Sequence, residues 1–183
     1  MFRRLSLLLA LSFMTLPAAA QPAPSQPTWQ NPPEPIASML DADRLPAVSI
    51  SPDNQWLVEF ERRSLPPIAE LAEPWVAIAG IKLNPTTWGP AQEASYKGIT
   101  VRPLGALDST PIHLPAGARI RNLRWSYDSR YLAFTLTQDD GIEPWVLDLA
   151  QAKAQPLAGS ILNGVYNNPC HWLPGDAGLI CKV

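Results

Sequence analysis

Three segments of the chain share one pattern: a short apolar run, a polar turn, and a second apolar run that opens on leucine. They are Val48-Ser-Ile-Ser-Pro-Asp-Asn-Gln-Trp-Leu-Val58, Leu123-Arg-Trp-Ser-Tyr-Asp-Ser-Arg-Tyr-Leu-Ala133 and Cys170-His-Trp-Leu-Pro-Gly-Asp-Ala-Gly-Leu-Ile180. Trp125 stands 47 positions before Trp172 and Leu132 stands 47 before Leu179, so the register holds at both ends of the hairpin. The stretches between the hairpins repeat too: Val101 to Val146 and Pro111 to Pro156 are each 45 positions apart. A unit of this length holding two hairpins is the spacing of a four-stranded propeller blade. The pattern therefore predicts an all-β fold, a partial β-propeller of about two and a half four-stranded blades over residues 41–183. Stacked blades bury both faces of their inner strands, which accounts for runs such as Tyr131-Leu-Ala-Phe134.

The first unit is longer. Ile50 to Trp125 spans 75 positions instead of 47, which places an insertion at residues 61–98. Within it, Pro66-Pro-Ile-Ala-Glu-Leu-Ala-Glu73 reads as a single helical turn and Trp75 to Leu83 as a strand. The turn Ser51-Pro52-Asp53-Asn54 supplies the fixed φ and the short polar side chains that a tight connection requires. Glu59 occupies the repeat position that Phe134 occupies one unit later, a departure that the repeat does not explain.

Residues 1–20 have the order of a secretory signal: Arg3 and Arg4, an apolar run from Leu5 to Leu16, then small residues, with cleavage expected between Ala20 and Gln21. The apolar run is short of the roughly 20 residues that a bilayer core requires. No Cys follows the cleavage site, so the expectation is a free periplasmic or secreted product with no membrane contact after cleavage. Residues 21–40 form a Pro-rich linker, and from Gln21 to Pro35 the chain reads as an extended tether. With 14 basic and 16 acidic side chains the net charge is −2, which offers no field for nucleic acid.

Four blocks carry a resemblance: Leu65-Pro-Pro-Ile-Ala-Glu-Leu-Ala-Glu-Pro74, Ala79-Gly-Ile-Lys-Leu-Asn-Pro85, Gly141-Ile-Glu-Pro-Trp-Val-Leu-Asp-Leu149 and Asn168-Pro-Cys-His-Trp172. In this order they resemble the start of bacterial exported serine peptidases of the prolyl oligopeptidase family, most closely the glutamyl endopeptidase-like branch. The similarity runs from about Ile36 to the last residue. It implies an N-terminal β-propeller that filters peptide substrates, followed by an α/β-hydrolase domain holding a Ser-Asp-His triad. The partners it implies are the remaining blades and that hydrolase domain. No Gly-x-Ser-x-Gly elbow occurs in the 183 residues, since Gly159-Ser160 lacks the second Gly. The two histidines, His113 and His171, both fall in expected strands, so no catalytic residue and no cofactor is assigned to this portion, which is expected to be inactive alone. Because an arc of blades leaves sheet edges unpaired, the chain reads as the front portion of a longer peptidase. The alternatives are a stand-alone periplasmic binding module and a non-functional truncated product.

The remaining candidates are few. If Trp172 pairs with Leu179, Cys170 faces Cys181 across the hairpin, within disulfide range; two buried free thiols are the other reading. Cys170 and His171 are strand neighbours pointing to opposite faces, which leaves too few converging ligands for a metal. Asp139, Asp140 and Glu143 read as a solvated loop, with a cation site as the sharper alternative. Trp125 and Trp172, at equivalent repeat positions among seven tryptophans, read as packing between units rather than as a carbohydrate platform.

Overall fold

The structure, a computed structural model, describes residues 30–157 and 161–183; the expected signal segment and its Ala20/Gln21 site lie outside them. The fold is all-β and its sheets are antiparallel. In chain order the elements are α1 (Ile36–Asp41), β1 (Arg44–Ile50), β2 (Trp56–Arg62), α2 (Ile68–Leu71), β3 (Val76–Ile78), β4 (Ile81–Asn84), β5 (Gly89–Pro90) and β6 (Tyr96–Pro103). There follow β7 (Thr110–Pro111), β8 (Arg119–Trp125), β9 (Tyr131–Thr137), β10 (Ile142–Asp148), β11 (Lys153–Pro156), β12 (Cys170–Trp172) and β13 (Leu179–Cys181).

The largest sheet runs β1-β2-β6-β8-β9-β10-β11, with β7 also on β6. It consists of two four-stranded meanders, β1-β2-β6-β7 and β8-β9-β10-β11, joined at one residue pair, Tyr96 opposite Ile120. Their ladders match. Ile50 faces Leu57 as Trp125 faces Leu132; Val58 faces Val101 as Ala133 faces Val146; Thr100 faces Pro111 as Trp145 faces Pro156. The third hairpin, β12–β13, keeps the same register with Trp172 opposite Leu179. The segment between β2 and β6 therefore changes the numbering between units and leaves the pairing intact up to Glu61, where the β2–β6 ladder shifts by one residue.

The turns repeat at the level of single atoms. Ser51 Oγ and Ser126 Oγ each donate to the aspartate two residues on, Asp53 and Asp128. Those carboxylates accept the N–H of Gln55 and Arg130. The two serine hydroxyls, both buried, accept the N–H of Trp56 and Tyr131. Asn54 and Ser129 take the left-handed backbone of the turn, with φ of 59° and 62°, a region that short polar side chains tolerate. Donors to the ionised form lower a carboxyl pKa. Asp53 is held below the usual carboxylate range by the Ser51 hydroxyl and then the Gln55 N–H, Asp128 by the Arg130 N–H and then the Ser126 hydroxyl. A depressed native pKa gives stability that is complete above the unfolded value, 3.8, and lost as pH falls through the lower native one. The double variant Asp53→Asn with Asp128→Asn is thus expected to have a flatter acid limb in a pH series of melting temperatures below about pH 4; an unchanged limb would refute the assignment.

Neighbouring units are tied by a contact that recurs with the repeat. The Trp125 indole N–H donates to Ser49 Oγ (2.9 Å), and the Trp172 indole N–H to the carbonyl of Arg124 (3.1 Å), the position in the second unit equivalent to Ser49. Likewise the Asp53 N–H donates to Ser129 Oγ, and the Tyr127 and Asp128 N–H groups to the Asp176 carboxylate. In each case a residue of the later unit reaches back to the earlier one.

The main core lies between the two meanders, with Val58, Phe60, Ile99 and Val101 of the first against Ile120, Leu132, Phe134 and Leu136 of the second. Every residue from Leu132 to Leu136 is buried, so β9 is covered on both faces. On β2 only Val58 and Phe60 are buried. Glu59 sits on the other, uncovered face and pairs with Arg102 at 3.4 Å. This accounts for its departure from Phe134: the same repeat position lies between units in one case and at a solvent face in the other.

The structure corrects several local expectations. Residues 75–83 form a hairpin rather than a strand: Ala79 and Gly80, with φ of 49° and 85°, turn the chain between β3 and β4, the positive-φ pair a two-residue hairpin loop uses. With β5 they make a separate three-stranded sheet. The helical turn within 66–73 is α2. The last residues of the Pro-rich stretch enter α1. His113 lies just past β7 in irregular chain: that strand ends at Pro111, and the last backbone bond onto β6 is from the Ile112 N–H to the Ile99 carbonyl at 2.9 Å; His171 is on β12. The small sheet docks through a close approach: a Cβ at Gly89 or Gly164 would stand 2.7 Å from Cδ1 of the buried Ile142.

Candidate binding cleft

Arginine is concentrated where the two meanders diverge. Arg44 and Arg62 face each other across β1 and β2, and both line a cavity of about 430 Å³ together with Arg63, Arg121 and Glu93. Like charges directly opposed on a sheet are destabilising by roughly 0.2–1 kcal/mol. Neither Arg44 nor Arg62 is among the ion pairs of the described residues.

The other arginines are held by the inserted segment. Arg63 donates to Glu70 of α2 at 3.0 Å and to the carbonyl of Ala118, before β8, at 3.3 Å. Arg119 donates to Glu73 at 2.6 Å and to the Gln138 carbonyl at 3.2 Å. Glu73 also accepts Asn84 Nδ2, so α2 and the small sheet are fastened to the entrance of β8 by two partly buried ion pairs. Arg121 is paired with Glu93, whose side chain is 55% exposed against 14% for the arginine. Burial pushes the Arg121 pKa down to about 10 while the Glu70 charge opposes the shift, and the guanidinium stays cationic at neutral pH. A second cavity of about 260 Å³ shares Arg44, Arg63 and Glu93 and extends along Leu65 and Pro66. The result is an open groove whose cationic end is partly neutralised by two carboxylates, Glu70 on Arg63 and Glu93 on Arg121.

The candidates from the sequence lie elsewhere. Cys170 and Cys181 are opposite partners on β12–β13 and are joined by a disulfide, Cα–Cα 4.2 Å. His113 and His171 are exposed. Asp139 and Asp140 are exposed at the β9–β10 connection, and Glu143 accepts the Trp145 indole N–H at 3.1 Å. Gly159 and Ser160 lie outside the described residues. Among the described residues no three His, Cys, Asp or Glu side chains group closely enough to hold a metal, and no described helix is long and apolar enough to cross a membrane. The arginines are invisible to motif reading because they come from positions 44, 62, 63 and 121. The hairpin register does not reveal them either: counted from Ile50 opposite Leu57 it sets Arg44 opposite Arg63, and only a register shift between Arg44 and Ala47 places Arg44 opposite Arg62.

The fold and cleft together define an all-β chain of repeated antiparallel units with one basic groove. The chain is similar to proteins with peptidase names. It is 30% identical over 169 residues to "Probable glutamyl endopeptidase, chloroplastic" of Oryza sativa subsp. japonica, a match covering 85% of this chain and 18% of that protein. It is 31% identical over 168 residues to the Arabidopsis thaliana protein of the same name, covering 85% of this chain and 17% of that protein. The chain thus spans less than a fifth of the length of these relatives. No protein-family profile matches it.

Proposed function

We propose that this chain is the N-terminal β-propeller segment of an exported serine peptidase of the prolyl oligopeptidase family, contributing substrate access and no catalytic residue. The observation that carries the reading is that the three ladders of the two meanders share one register over the residues nearest their turns, and that the third hairpin continues it. Four-stranded antiparallel units that repeat in register and reach back to their predecessors are the elements from which propellers close. The similarity to glutamyl endopeptidases supplies the peptidase, and the disulfide suits an oxidising compartment such as the periplasm. In this reading the missing partners are further blades and an α/β-hydrolase domain.

The test is enzymatic. The chain alone is expected to hydrolyse no peptide and to take up no active-site serine reagent, whereas the product of the reading frame continued past codon 183 is expected to do both. A continuation that lacks further units and a Gly-x-Ser-x-Gly elbow would overturn the proposal and leave a stand-alone binding module.

A further inference from the structure

We infer that the segment inserted between β2 and β6, residues 64–95, is a lid on the groove: one body hinged at the Arg62–Tyr96 pair and latched to the second meander by ion pairs that salt releases. The hinge is written in the pairing. The segment leaves and rejoins the main sheet through directly opposed residues, Arg62 on β2 and Tyr96 on β6, beside the register shift between Glu61 and Arg62. Two chain crossings side by side, next to an irregular pair, let everything beyond them swing without disturbing the sheet.

The segment also holds together by itself. Its strands β3, β4 and β5 form their own sheet, Asn84 Nδ2 donates to Glu73 at 2.8 Å, and the Gln92 side-chain amide donates to the Leu71 carbonyl at 3.4 Å. Lys82 Nζ stands 4.5 Å from the centre of the Trp75 ring. Yet none of its side chains belongs to either apolar core of the described residues, and Leu65, Ile68, Ile78 and Trp88 are each more than half exposed. A body docked without apolar burial lacks the term that ordinarily fixes an element in place.

What fastens it to the second meander is ionic and polar. Glu73 pairs with Arg119 and Glu93 with Arg121, both arginines being 14% exposed and the carboxylates 34% and 55%. The other ties are the Gly164 N–H on the Trp88 carbonyl at 2.8 Å and the close pass of Gly89 over Ile142. Pairs whose carboxylates reach water are weakened by salt, so counter-ions favour the open position. Glu93, Ala94 and Ser95 line both the cavity of about 430 Å³ and that of about 260 Å³. Opening therefore enlarges both and bares Arg119 and Arg121, which makes the segment a control on access to the groove. The inference concerns how the segment moves, and it does not depend on the peptidase reading.

Hydrogen exchange of the full chain, followed by NMR at about 50 mM and about 500 mM salt, tests it. The Gly164 N–H reports the latch, because its acceptor, the Trp88 carbonyl, belongs to the segment and Gly164 does not. The Ala91 N–H, on the Lys82 carbonyl at 3.1 Å, reports the segment's own integrity. At high salt Gly164 is expected to exchange about three- to tenfold faster relative to the amides of β9, with Ala91 keeping its low-salt rate. Glu73→Gln combined with Glu93→Gln is expected to reach the faster Gly164 rate already at low salt and to lose the salt response. A Gly164 rate indifferent to salt, an Ala91 rate that rises in step with it, or a double variant that exchanges like the parent would overturn the inference. A reading frame without a hydrolase domain would remove the peptidase and leave the lid.

Discussion

Phe134→Ala is expected to destabilise the chain by about 3–5 kcal/mol, while Glu59→Ala, at the same place in the preceding unit, is expected to change stability by less than about 1 kcal/mol. Phe134 is 2% exposed, packs at 6.2 Å from the Trp145 ring, and belongs to the core between the two meanders. Truncating it removes apolar contact on the β9 face that meets Val58 and Phe60 and leaves a cavity that two meanders joined at one residue pair must close by moving together. Glu59 lies on the open face of β2, in an ion pair whose side chains are each about a third exposed, where solvent screening leaves little net gain. Urea unfolding of the two variants measures both effects. Equal losses would mean that both faces of β2 are covered in solution and that the asymmetry between the units is wrong.

That contrast marks what the sequence carries and what it does not. The three hairpins were legible because each is local: six residues lie between the paired positions Ile50 and Leu57, Trp125 and Leu132, and Trp172 and Leu179, with Ser and Asp in fixed places in the first two turns, a left-handed residue in all three, and apolar runs long enough to set the register. The equivalence of Val101 with Val146 and of Pro111 with Pro156 was legible for the same reason, through spacing. Short elements were not. The β3–β4 hairpin has strands of three and four residues, and its turn begins at Ala79, a residue that gives no warning of positive φ. The end of β7 at Pro111 moved His113 out of a strand. Asp139, Asp140 and Glu143 were singled out because they are close in sequence, yet the indole of Trp145 engages only Glu143. The groove escaped altogether. Its arginines meet only after β1–β2 and β8 are brought together, and the carboxylates that hold three of the five arginines in and beside it come from the inserted segment, whose docking no local pattern specifies. Spacing arithmetic finds repeats; it does not find side chains that converge from different repeats.

Replacing Cys170 and Cys181 together by alanine is expected to cost about 2–3 kcal/mol, and to cost it locally. A cross-link closing 11 residues removes that order of chain entropy from the unfolded state. The hairpin it closes has little else of its own: two strands of three residues, in a sheet separate from the main one, and an isolated two-stranded hairpin is marginal in water. Its attachments to the second unit include the packing of Cys170, Leu179 and Cys181 with Ile142, the Trp172 indole N–H on Arg124, the Asn168 amide on the Asn122 carbonyl, the Asp176 carboxylate on two N–H groups, and the stack of Trp172 on Tyr131. Those contacts fix where the hairpin sits, while the disulfide limits how far it opens. Hydrogen exchange should therefore quicken at β12 and β13 by roughly 30- to 160-fold, as 2–3 kcal/mol of local opening requires, and stay unchanged in β9, whose core lies between the two complete units. If β9 quickens by the same factor, the third hairpin and the second meander unfold as one body, and the inter-unit contacts carry more of the stability than the chain entropy of the loop. If neither strand responds, those contacts hold the hairpin shut without the bond, and the back-reaching Trp172 and Asp176 become the residues whose removal should open it.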